Sequence, residues 1–73
     1  MPSPSSITAE YLYGVASGRA ILRAAPSIQR HEIERLIDNC TTLLRQRFSR
    51  EIADTYRGER DFWKNQLKLR KLS

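Results

Sequence analysis

One cysteine, one histidine and one tryptophan stand in this chain of 73 residues, and no window approaches the roughly 20 consecutive apolar residues of a membrane-spanning helix. The single cysteine, Cys40, excludes an internal disulfide. With His31 it leaves too few soft ligands for a structural zinc site. A domain this small buries a modest fraction of its surface, and such domains usually gain stability from disulfides, a metal or a second subunit. With the first two excluded, a homodimer is expected. The opening Met-Pro-Ser-Pro-Ser-Ser lacks the basic residues of a secretory signal, and Arg19 and Arg23 interrupt the next apolar stretch. Together with the lone thiol this reads as a cytoplasmic protein without a membrane partner.

The residues of catalysis are equally scarce. His31-Glu32-Ile33-Glu34-Arg35 begins like a zinc-protease helix, but Arg35 stands where the second histidine is required. Cys40 falls on an apolar helical seam with no base in reach, which suits a buried thiol better than a nucleophile. Glu59 and Asp61 are two residues apart and diverge on a helix, so they suit salt bridges with neighbours such as Arg57 or Lys64. The three glycines form no phosphate-cradling loop. No enzyme, cofactor or metal is expected.

What the chain does have is helical periodicity. Met1 to Ser6 is rich in Pro and Ser and reads as a disordered leader, 1–6, before a single helical domain, 7–73. Ser6 or Thr8 can cap a first helix with Glu10 in its first turn. Pro26 disfavours helix at Ala25, so this helix ends near Ala24. Its inner seam is Tyr11, Val15, Gly18 and Leu22, with Gly14 and Ile21 alongside. Two glycines in a helix cost roughly 1 kcal/mol each relative to alanine, and close approach of another helix backbone is the compensation expected. In a second helix Gln29 and Glu32 occupy capping-box positions, with Ile28 and Ile33 placed as a hydrophobic staple; Ser27 is a competing cap. Ile33, Leu36, Ile37, Cys40, Leu43, Leu44 and Phe48 then form one apolar seam. Ser49 can cap a third helix, with the chain reversing near Phe48-Ser49. Helices of about 19 and 22 residues would be roughly 28 and 33 Å long. The expected fold is all-α: a helical hairpin of two long helices plus a shorter N-terminal helix, dimeric.

The third helix carries the functional expectations. Phe62 and Trp63 are adjacent and point about 100° apart on a helix. Two stripes result: Ile52, Tyr56, Trp63 and Leu67, and Thr55, Phe62, Gln66 and Leu69. Two stripes suit a helix held between its own domain and something else, one entering the core and the other facing a partner or solvent. Gly58 lies inside this helix, where it is expected to bend it or end a first segment. Tyr, Trp and Arg dominate interface hot spots, and Tyr56, Arg60, Trp63 and Arg70 can share one side. Phe62, Gln66 and Leu69 complete the candidate partner-binding set.

The net charge of +5 is unevenly placed: seven Lys/Arg against six Asp/Glu from Met1 to Tyr56, but six against two from Arg57 to Ser73. Lys64, Lys68, Arg70 and Lys71 could contact phosphates with Trp63 or Phe62 stacking on bases, so a small basic nucleic-acid-binding protein is the alternative. A second helix of this length is too long for a helix-turn-helix.

Three stretches carry a family resemblance: Tyr-Leu-Tyr-Gly-Val-Ala-Ser-Gly-Arg from Tyr11 to Arg19, Pro26-Ser27, and Gly-Glu-Arg-Asp-Phe-Trp-Lys-Asn-Gln-Leu from Gly58 to Leu67. Together they resemble small early-region proteins of transposable, Mu-like bacteriophages of Pseudomonas, among them the quorum-sensing anti-activator type. The resemblance implies a small helical dimer acting in the bacterial cytoplasm. It implies binding to a LuxR-type host transcription regulator, and also to the pilus-assembly ATPase. It implies no particular contact residues.

Overall fold

A computed structural model describes residues 7–72, excluding the side chain of Leu72. The expected disordered leader, 1–6, and with it Ser6 as a cap, lies outside the described residues. The described chain is all-helical: α1 (Ala9–Ala24), α2 (Arg30–Leu44) and α3 (Arg50–Leu72). No helix among these residues is long and apolar enough to cross a membrane.

Local chemistry sets most helix ends. The Thr8 hydroxyl caps α1 by accepting from the Tyr11 amide at 3.1 Å, and α1 stops at Ala24 ahead of Pro26. Gln29 is the N-cap of α2 but its side chain makes no capping bond, and instead donates to the Ser27 carbonyl at 3.2 Å. What anchors that end is the staple, with Ile28 8% and Ile33 0% exposed. Ser49 precedes α3 and its hydroxyl accepts from the Ile52 amide at 3.4 Å. The reversal comes earlier than the apolar seam suggests. At Arg45 and Gln46 the amides turn to the Thr42 and Leu43 carbonyls at 3.2 and 3.0 Å, three residues back, which tightens and ends the helix at Leu44. Phe48 thereby leaves the seam and stacks on Tyr56. The expected pair of long helices is thus corrected: α2 has 15 residues, α1 16 and α3 alone is long, at 23.

α3 is the spine. A helix of its length spans about 33 Å, close to the 32 Å long axis of the molecule. Both α1 and α2 pack on it, α1 more extensively, and α1 and α2 meet through the side chains of the shared core, Val15 and Leu22 of the one with Ile33 and Leu36 of the other. Along α2 and α3 the contacts run in opposite senses, Cys40 meeting Glu59 and Ile28 meeting Arg70. Along α1 and α3 they run in the same sense, Thr8 meeting Asp54 and Tyr11 meeting Asp61.

The α1–α3 crossing depends on glycine. A methyl group at Gly14 would fall on the Thr55 carbonyl oxygen, and one at Gly58 on the Tyr11 carbonyl oxygen. α3 runs unbroken through Gly58, so this residue neither bends nor ends the helix as anticipated; it admits the α1 backbone. Gly18 meets a side chain instead, the Phe62 ring, whose Cδ2 would lie 2.5 Å from an added Cβ. The core is correspondingly small: Ile28, Ile33, Phe62 and Trp63, with Val15, Leu22, Leu36, Ile37 and Leu67 half-buried around them.

Candidate protein-binding surface

Phe62 and Trp63 both enter the core. Trp63 is 0% and Phe62 9% exposed, and their rings meet edge to face with centroids 5.0 Å apart at 80°. Their angular separation is used within the chain: Phe62 lies under Gly18 of α1, while Trp63 joins Ile28 and Ile33 of the α2 side. The expectation that one of the two rings faces a partner or solvent is corrected: the second side of α3 is occupied by α1 of the same chain, and both rings are core.

The other candidates divide between the two sides of α3. Gln66 lines a groove of about 380 Å³ between α1 and α3, beside Tyr11, Val15, Arg19, Asn65 and the exposed edge of Phe62. Leu69, on the same stripe, is 52% exposed. Tyr56 lies elsewhere, half-buried, its ring 5.7 Å from that of Phe48 and tilted by 53°. Arg60 is held by Asp61, Nε and Nη2 both donating to Oδ1 at 3.3 Å. Arg70 reaches across to α2, Nη1 donating to the Ile28 carbonyl at 2.8 Å, where it fastens the start of that helix to the end of α3. The structure thus puts Phe62 and Gln66 on one groove, leaves Leu69 exposed further along the same stripe, and engages Tyr56, Arg60 and Arg70 elsewhere.

Among the described residues no buried side-chain nitrogen or oxygen lacks a hydrogen-bond partner. Asp54, 6% exposed, accepts from the Thr8 hydroxyl and from Arg57 Nη1, both at 3.0 Å. Asp61 accepts from the Tyr11 hydroxyl at 2.6 Å, and this hydrogen bond, with burial, pushes the phenol up to about 12. Burial, reinforced by the Glu59 carboxylate 3.9 Å away, raises the Cys40 thiol to about 11. Burial also raises Glu59, the thiol hydrogen bond acting in the opposite direction. An inert, protonated thiol is what the apolar seam led one to expect of Cys40.

The pattern that sequence periodicity missed is the apolar surface left over. Ile7, Leu12, Tyr13, Ile52 and Leu69 are each between 44% and 68% exposed. Tyr13 and Leu12 flank the α1 seam without belonging to it, and that position off the seam was their visible signal. Searches against known family models, characterised proteins and solved structures find no match for the chain.

Proposed function

We propose that this chain is a non-enzymatic inhibitor that binds and blocks a host bacterial protein, acting as a homodimer in the bacterial cytoplasm. The target class follows from the resemblance of Tyr11–Arg19 and Gly58–Leu67 to early-region proteins of Mu-like phages: a LuxR-type transcription regulator first, the pilus-assembly ATPase second. The observation that carries the binding role is the imbalance between core and surface. Among the described residues five hydrophobic side chains are buried, while seven large ones, from Ile7 to Leu69, stay exposed. Where such side chains adjoin, the exposed apolar surface they form marks interaction sites. It supports both a second copy of the chain and a foreign partner as occupants.

For the foreign partner the α1–α3 groove, with Gln66 and Leu69, is the favoured contact. Surfaces of regulators that hold DNA are themselves basic, so the cations at Lys68 and Lys71 would repel them and the apolar groups must supply the attraction. The test is release of a purified LuxR-type regulator from its operator DNA. Stoichiometric wild-type chain is expected to release it, Leu69→Asp to fail while keeping wild-type helix content, and a Lys68→Glu/Lys71→Glu variant to succeed. A regulator that stays on its operator in the presence of excess wild-type chain overturns the reading.

A second reading has its own observation. Arg57, Lys64, Lys68 and Lys71 are all exposed and spaced by seven, four and three residues, which places them along one side of α3. That line of cations suits phosphates. Trp63 and Phe62, the two rings expected to stack on bases, are buried, so binding would rest chiefly on charge. Affinity for mixed-sequence DNA that is tight at low salt and falls by orders of magnitude at moderate salt would favour this reading over the first.

A further inference from the structure

A cleft of about 550 Å³ opens between the end of α1 and the outer side of α2. Ile21 and Ala25 line it from α1 and the residue that caps α1, Ile28 from the connection, and Leu36, Arg35 and Asn39 from α2. The chain itself closes one end as it turns from one helix to the other, the Ile28 amide donating to the Ala25 carbonyl at 3.1 Å. Ile21 is 37% exposed there. All of the polar lining comes from α2, where His31, Arg35 and Asn39 recur every four residues and so form a rim along one side. Glu32, the one acid in the lining, has its Oε1 3.9 Å from His31 Nε2. Arg35 forms no ion pair or hydrogen bond among the described residues.

We propose that this cleft binds a medium-chain alkyl monocarboxylate, its chain against Ile21, Ala25 and Ile28 and its carboxylate on the Arg35 guanidinium. Sites for small molecules are clefts of roughly 300–1,000 Å³ with an apolar lining and a few polar groups that fix orientation, and this one has that size and that division. The polar groups decide the class of ligand. A planar guanidinium fork matches one carboxylate in a two-pronged fashion, and Asn39 adds amide donors beside it. A phosphate monoester would bring a second negative charge to a lining that holds a single arginine and an acid, Glu32. A helix of a partner protein would have to run through the end that the turn at Ala25–Ile28 closes. The inference goes beyond the host-target reading and does not rest on it, since none of these residues lines the α1–α3 groove.

The measurement is titration of the nitrogen-15-labelled full chain with octanoate, followed by amide chemical shifts, beside titrations with octanol and octyl phosphate. Octanoate is expected to move the amides of Ile21, Ala25, Ile28, Arg35 and Leu36 saturably. It should bind about tenfold tighter than octanol, equivalent to about 1.4 kcal/mol. Arg35→Gln is expected to reduce octanoate to the level of octanol with helix content unchanged, and Ile21→Gln to weaken both ligands. Arg35→Lys, which keeps the charge and loses the fork, should fall between wild type and Arg35→Gln. Absence of saturable shifts, shifts centred outside the cleft, equal affinity for octanoate and octanol, or tighter binding of octyl phosphate overturns the proposal. Undiminished octanoate binding by Arg35→Gln does so as well. The comparison of the three ligands on wild-type chain needs no variant to fold.

Discussion

At Gly14 and Gly58 a single methyl group meets backbone rather than a movable side chain, and this reverses the usual sign of a helix substitution. In an open helix, Gly→Ala gains about 1 kcal/mol. Here the carbonyls of Thr55 and Tyr11 stand in the way, and overpacking of this kind costs about 1–3 kcal/mol, sometimes more. Gly14→Ala and Gly58→Ala are each expected to lower Tm, by about 4–8 °C per kcal/mol in a domain of this size. Gly18→Ala should cost less, because the Phe62 ring can shift. Thermal melts of the three variants check the order; a Tm at or above wild type for Gly14→Ala would show that the helices do not cross there. Titration gives a second test at this scale. Cys40 and Tyr11 move from ordinary values of 9.0 and 10.0 to about 11 and about 12 in the folded chain. The folded state therefore keeps protons that the unfolded chain has released, so stability is whole below about pH 9 and is lost as pH rises to about 12. A Tyr11→Phe/Cys40→Ala variant is expected to show a flatter decline in urea midpoint over that window, and an unchanged slope would show that these groups are not held as described.

Among the elements, α3 was legible as the organising helix and its surroundings were not. The caps at Thr8 and Ser49 and the Ile28–Ile33 staple are local chemistry, readable from the residues themselves. The end of α2 lacks glycine or proline to announce it, and the seam continues to Phe48, so periodicity overran the true end by several residues. Which stripe of α3 is core could not be settled from one helix, because that depends on how many neighbours it has. With α1 on one side and α2 on the other, Trp63 and Leu67 of one stripe and Phe62 of the other are used, while Ile52, expected on the Trp63 stripe, stays 44% exposed because it precedes both packed neighbours. Leu69, at the far end, is also left over. Trp63→Ala is expected to cost about 3–5 kcal/mol, which leaves little of the stability of a small domain. Leu69→Ala should stay within about 0.5 kcal/mol of wild type. Circular dichroism with urea titration checks both, and a well-folded Trp63→Ala would remove this ring from the core.

For the whole molecule, a core of so few fully buried side chains sits beside much exposed apolar surface. If the proposed homodimer covers part of that surface, stability becomes inseparable from concentration. Tm is then expected to rise with chain concentration, and light scattering after gel filtration to give the mass of two chains. A Tm independent of concentration with the mass of one chain would remove the dimer, and would leave the exposed groups to other partners.

By itself the sequence determined the all-helical class, the end of α1 before Pro26 and the need of Gly14 for a close neighbour, and it narrowed the helix starts to one or two candidate caps each. These follow from short-range chemistry: 3.6-residue periodicity, side-chain caps and the steric demands of proline and glycine. Only the tertiary structure decided that α1 supplies the second wall of α3, that Gly58 is there to admit α1, and that Phe62 and Trp63 are both core. Each depends on which surfaces meet across about 45 residues of chain, from Tyr11 to Gly58 and from Gly18 to Phe62, and no local pattern encodes that meeting.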